Sequence, residues 1–145
     1  MRYEAAVLET TLKEAISFET GDLSEEDVQA IPDNLPVVPT FVDRNDQVRY
    51  FSQTEERIFV RTKAVIGLKV QQCHPQKSLQ VVNQILDDFK NGQKDKADFW
   101  INLQGKLILI RYFAVRGKNG EYLGCLEVTQ DITQIKKIEG EKRLW

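Results

Sequence analysis

"GEYLGCLEVTQDIT", residues 120–133, is the stretch whose reading decides the fold. It follows a turn made by Gly117, Lys118, Asn119 and Gly120 and reads as a closing strand. The segment before that turn, "KLILIRYFAVR" (106–116), is a long apolar strand. A tight turn at Gly105 separates it from "ADFWINLQ" (97–104). There Ala97, Phe99, Ile101 and Leu103 alternate with Asp98, Trp100, Asn102 and Gln104, the period of a strand with two different faces. Three consecutive strands therefore end the compact part of the chain.

Upstream, "SLQVVNQILDDFKNG" (78–92) carries the clearest helical period. Leu79, Val82, Ile85, Leu86 and Phe89 line one face, and Asn91-Gly92 supplies the stop. Before it, "TEERIFVRTKAVIGLKVQQCHPQKS" (54–78) holds short helical turns without a long period. "TFVDRNDQVRYFS" (40–52) is a hairpin whose four-residue loop is Arg44, Asn45, Asp46 and Gln47. Five antiparallel strands with helices grouped on one face make an α+β domain over residues 35–133.

The flanks are predicted helical. Residues 2–18 place Leu8, Leu12, Ala15 and Ile16 at helical spacing, with Gly21 as the stop. Ser24 opens a second, short helix as an approximate capping box with Asp27. Pro32, Pro36 and Pro39 close it and force an extended linker. Residues 1–34 thus form a helical lead and linker. Residues 134–145 are predicted as a C-terminal helix, with Ile135, Ile138, Lys142 and Trp145 as a short coiled-coil-like seam.

The chain has 145 residues, 41% hydrophobic and 29% charged, enough for one domain with a real core. No apolar run approaches a membrane span. The first 21 residues have no continuous apolar core, which excludes a secretory signal peptide and makes the cytoplasm the expected compartment. Two cysteines make no disulfide framework. Residues 1–36 carry nine acids and two bases. The remaining bases are scattered among acids, so the footprint of a nucleic-acid binder is absent.

"TFVDRNDQVRYFS", "VIGLKVQQCHPQKS" and "GEYLGCLEVTQDIT", in this order, resemble a PAS domain over residues 35–133. Asp131-Ile132-Thr133 resembles the D-I-T signature that ends the last PAS strand and leads into a signalling helix. "FETGDLSEEDVQAIPDNLPVVPTFVD" and "RTKAVIGLKVQQCHPQKS" are similar to the C-terminal part of an uncharacterised bacterial family with a hemerythrin-like domain ahead of a PAS domain. The resemblance implies a piece of a longer bacterial protein and a non-enzymatic sensory or signal-transduction module, and the predicted flanking helices imply a homodimer. It also implies an unknown small ligand or a protein partner. The chain's single histidine cannot build a di-iron site, so no metal is assigned.

Candidate ligand-binding residues are Arg57, Arg61, His74, Phe99, Trp100, Arg111 and Tyr112. The arginines would fork a carboxylate or phosphate and the aromatics would supply apolar walls. The competing reading leaves these arginines neutralised by Glu55, Glu56 and Asp98. Cys73-His74-Pro75 reads as the entrance to the long helix, as in many PAS domains. No cofactor is predicted. The first alternative is a haem redox or gas sensor using His74, although haem-binding PAS domains usually carry that histidine inside the long helix, which has none. The second is a small α+β-cone enzyme with a buried acid or base. For that role the strands offer Asp98 and Glu127, both expected to face solvent. Cys125 is expected to be a small buried hydrophobe.

Overall fold

The computed structural model describes residues 15–54, 58–59 and 61–145. Two compact units divide the chain, residues 1–35 and 36–145. In the first, β1 (Ala15–Phe18) and β2 (Gly21–Ser24) form an antiparallel hairpin in which Phe18 faces Gly21. This corrects the helix predicted over 2–18. Its residues 15–18 are a strand, and 1–14 lie outside the described residues. Ile16 and Phe18 are better strand than helix formers. Gly21, at φ +145°, completes a hairpin turn rather than stopping a helix. Helix α1 (Glu25–Asp33) follows with the expected capping box. Ser24 Oγ accepts from Asp27 N–H at 3.0 Å, and Asp27 Oδ2 accepts from Ser24 N–H at 3.1 Å. Pro32 does not end the helix, which runs to Asp33. Pro32 gives up its own N–H bond and crowds the carbonyl four residues back, but only one helical residue follows it, and Asn34 closes the end by donating from Nδ2 to the Ala30 carbonyl (2.8 Å).

The second unit begins with β3 (Val38–Asp43) and β4 (Val48–Phe51). Their loop, 44–47, has the predicted length. Asp43 Oδ1 accepts from the N–H groups of Asn45 (2.9 Å) and Gln47 (3.0 Å), the local side-chain turn that aspartate favours. Three short 3₁₀ turns (Lys63–Val65, Val70–Cys73, Gln76–Ser78) lead to helix α2 (Leu79–Lys90). Then come β5 (Lys96–Leu103), β6 (Lys106–Arg116) and β7 (Tyr122–Asp131). The sheet order is β4-β3-β7-β6-β5, antiparallel throughout. Gln104 (φ +50°) and Gly105 (φ +80°) form the two-residue turn between β5 and β6.

One side of the sheet carries the core. The buried α2 residues Val82, Leu86 and Phe89 pack with Val42, Val48, Val70 and Cys125. This is the helical face read from the sequence. Polar straps hold the C-terminal end of α2. Arg116 Nη2 donates to the Phe89 carbonyl at 2.7 Å, and Lys90 Nζ pairs with Asp46 at 2.9 Å.

The D-I-T stretch locks the end of β7 to the start of β6. Thr133 Oγ1 donates to Asp131 Oδ1 (2.6 Å) and accepts from Leu107 N–H (2.9 Å). Thr133 N–H also donates to Asp131 Oδ1 (3.0 Å). These bonds hold the Asp131 carboxyl below its ordinary pKa of 3.8. Because the folded value is the lower one, the contribution is complete above the unfolded pKa and lost as pH falls through the folded one. Thr133→Val removes the side-chain bond and should move the Asp131 carboxyl back toward 3.8. A carboxyl-carbon NMR titration reads this directly, and an unmoved midpoint would refute the assignment.

The helix predicted over 134–145 is not formed. A single 3₁₀ turn, Ile135–Lys137, is followed by irregular chain through Trp145, with Gly140 at φ +65°. Ile135, Ile138 and Trp145 are 50, 73 and 87% exposed. A seam this short needs a partner helix to bury it before the helix is stable.

Candidate functional site

A cleft of about 330 Å³ opens between the core side of the sheet and the segment entering α2. Ile110 and Tyr112 of β6 and Glu127 of β7 form its floor. Phe59, Arg61, Val65, Cys73, His74 and Pro75 form its rim. A deeper apolar recess of about 20 Å³ shares His74, Tyr112 and Glu127 and reaches Val82, Ile85 and Leu86 of α2. That recess has room for about one water molecule.

Strand geometry sets the floor. Tyr112 lies opposite Glu127 across the β6–β7 ladder, so both project to the same side. Glu127 is only 6% exposed, which corrects the expectation that it faces solvent. Its Oε1 accepts from Arg61 Nη2 at 3.0 Å and from Thr129 Oγ1 at 3.4 Å. The Arg61 side chain is itself 15% exposed, so the pair is largely withdrawn from water. A signal for this was present in the sequence. Cys125 is expected to be buried, and a residue two positions along a strand shares its neighbour's face.

The surroundings tune the other groups. Burial, reinforced by Glu127, raises the Tyr112 hydroxyl far above its ordinary pKa of 10.0, so the phenol keeps its proton. Burial pushes the Cys125 thiol up to about 12. Thiolate, not thiol, is the nucleophile. At pH 8 a disulfide reagent should therefore label only Cys73, which is half-buried, and reach Cys125 only after unfolding. Labelling of both thiols in the native protein would contradict that burial.

His74 takes the extended backbone expected before Pro75, at φ −117° and ψ 147°. Its Nδ1 lies 3.0 Å from the Val70 carbonyl oxygen. A carbonyl only accepts, so Nδ1 carries the proton and Nε2 is an acceptor in the neutral ring. Cys73 Sγ turns instead to the Lys69 carbonyl, 3.8 Å away. Thiol and imidazole are thus engaged separately.

The seven predicted ligand-binding residues do not assemble as one clamp. Arg61, His74 and Tyr112 meet in the cleft. Phe99 stands on the same side of the sheet, edge-on to Tyr112 at 6.0 Å, but lines a separate groove against α2. Arg111 and Trp100 project to the opposite side, because adjacent strand residues point apart. There Arg111 lies 5.7 Å from the Phe113 ring and reaches Gln130 at 3.4 Å, while Trp100 is 67% exposed. Arg57, Glu55 and Glu56 lie outside the described residues. Asp98 is exposed, as expected.

This sheet order, with α2 across one side and a cleft at the entrance to α2, accompanies a family match. The PAS domain family model matches residues 28–133. The chain belongs to the PAS domain family. The C-terminal domain of a Streptococcus mutans protein is 34% identical and superposes with a TM-score of 0.80, covering 86% of this chain and 97% of that one. A PAS domain from Colwellia psychrerythraea gives 16% identity and a TM-score of 0.56, over 76% and 98% of the two chains. The PAS domain of Bordetella pertussis BvgS gives the same two values over 75% and 86%. The latter two likenesses establish the fold alone. A search of curated proteins returned no match. In this PAS domain no three His, Cys, Asp or Glu side chains able to hold a metal cluster together among the described residues. No described helix is long and apolar enough to cross a membrane.

Proposed function

We propose that this PAS domain is a non-enzymatic sensory module of a bacterial cytoplasmic protein, one that binds a small ligand in the cleft and signals through β7. The Arg61–Glu127 pair carries the reading. It ties the cleft rim to the strand that ends in Asp131-Ile132-Thr133. A ligand that reorients this pair shifts the population between two arrangements of β7, by as much as it prefers one of them. Histidine-kinase sensor proteins among the fold relatives support a signalling role. The Streptococcus mutans relative is the C-terminal domain of a larger protein, which supports the reading of this chain as a C-terminal piece; the hemerythrin-like domain ahead of it is part of the proposal. Homodimerisation belongs to the same proposal. The exposed Ile135, Ile138 and Trp145 are side chains that a second copy would cover. Sedimentation showing only monomer at high concentration would remove that part.

His74 presents an iron-capable Nε2, but a cleft of about 330 Å³ is at the small end of ligand pockets and does not fit a tetrapyrrole.

The test is an amide NMR screen with small aromatic amides, acids and amines. Compounds that shift cleft resonances should also shift Ile132–Ile138. Binding confined to the cleft, with those residues unmoved, would separate recognition from output and defeat the sensory reading.

A further inference from the structure

We infer that the cleft selects an uncharged ligand carrying an N–H or O–H donor beside a carbonyl-type acceptor, as in a carboxamide or a lactam. The inference rests on the reading of this cleft as a ligand site and deepens it. Three polar atoms carry it. Glu127, 94% withdrawn from water, spends Oε1 on Arg61 and Thr129, while Oε2 has no partner among the described residues. In the neutral ring His74 Nε2 is an acceptor, because Nδ1–H is committed to the Val70 carbonyl. The Tyr112 hydroxyl has no partner among the described residues and lines the same cleft. Two acceptors therefore ask for a donor, and a phenol that stays protonated offers one to an acceptor beside it.

Among the described residues, charge balance disfavours the ions. Arg61 and Glu127 pair at 3.0 Å on a cleft whose other lining residues are mostly apolar. An entering anion meets the Glu127 carboxylate and must compete with it for Arg61. An entering cation meets Arg61. Either ion gives up its hydration without a free countercharge. A neutral donor–acceptor edge satisfies Glu127 Oε2 and Tyr112 together and disturbs neither charge.

The experiment is an amide NMR titration of the full chain with three probes of nearly one shape. Benzamide is neutral with an N–H donor, methyl benzoate is neutral without one, and benzoate is an anion. Benzamide should shift cleft resonances and bind about fivefold or more tightly than either of the others, the expected effect of one satisfied buried acceptor. Tyr112→Phe, which deletes only the hydroxyl, should weaken benzamide about fivefold while the melting curve stays that of the parent. Benzoate binding as tightly as benzamide would overturn the ligand class and make Arg61 the anchor. Methyl benzoate matching benzamide would overturn it too, by removing the donor requirement. If no probe moves a cleft resonance, the ligand-site reading itself fails, a result distinct from failure of the class.

Discussion

Replacing Glu127 by leucine is expected to lower the stability of the PAS domain by about 3–5 kcal/mol, read as a fall in the urea midpoint. The Coulomb energy of the pair is not the main reason. Glu127 and Arg61 have side chains 8 and 15% exposed, so both charges were desolvated on folding. Removing the carboxylate leaves the guanidinium largely buried without this countercharge. Replacing both partners should cost far less. The Arg61→Met, Glu127→Leu double variant removes both desolvation penalties and keeps apolar volume, so it should recover most of the loss. The double-mutant cycle reports the coupling between them. A single-variant cost below about 1 kcal/mol would be that of a solvated surface pair, and the buried description would then be wrong. A domain of this size has about 5–15 kcal/mol to lose, so the single variant should sit close to the unfolding threshold.

The second large effect is steric. Gly124→Ala is expected to cost about 3 kcal/mol, the upper end for overpacking a filled site. Gly124 lies in β7 opposite Asp43 of β3. A Cβ there falls 2.2 Å from the Val42 carbonyl oxygen and 2.7 and 2.8 Å from two carbons of the Phe41 ring. The ring can swing aside, but the carbonyl belongs to the sheet backbone. The two strands must separate where they meet. For a domain near 100 residues each kcal/mol moves the melting temperature by about 4–8 °C, so a drop of about 12–24 °C should appear in a thermal melt. A melt within a few degrees of the parent would mean that β3 and β7 have slack, and the close contact would be refuted.

Both effects act on β7, the strand that joins the cleft to the D-I-T lock. Its registry with β3 and β6 fixes which side chains reach the cleft. A slip of one residue would exchange Glu127 for Leu126 or Val128 and remove the polar floor.

Much of this was legible from local pattern, and the exceptions share a cause. The face of α2 followed from a 3.6-residue period in which only one stripe is apolar. Strands β6 and β7 gave no such choice. Leu107, Leu109 and Phe113 on one side of β6 are as apolar as Ile108 and Ile110 on the other. Period two therefore defined two faces without saying which was inside. That is why local pattern alone leaves Glu127 facing solvent and groups Arg111 with Tyr112 in one site. Covering one side of the sheet with α2 made the decision.

By itself the sequence determined what short-range forces determine. It set the capping box at Ser24, the loop length at 44–47, the tight turn at Gly105, the apolar stripe of α2 and the positions of five strands along the chain. Each depends on groups a few residues apart, whose energies the chain carries wherever it goes. Tertiary structure decided the rest: the strand at 15–18, the missing helix after Thr133, and the meeting of Arg61 with Glu127 across 66 positions. These depend on a partner surface. A marginal helix forms only against something that buries its seam, and a charged residue enters the interior only where the fold brings it a countercharge.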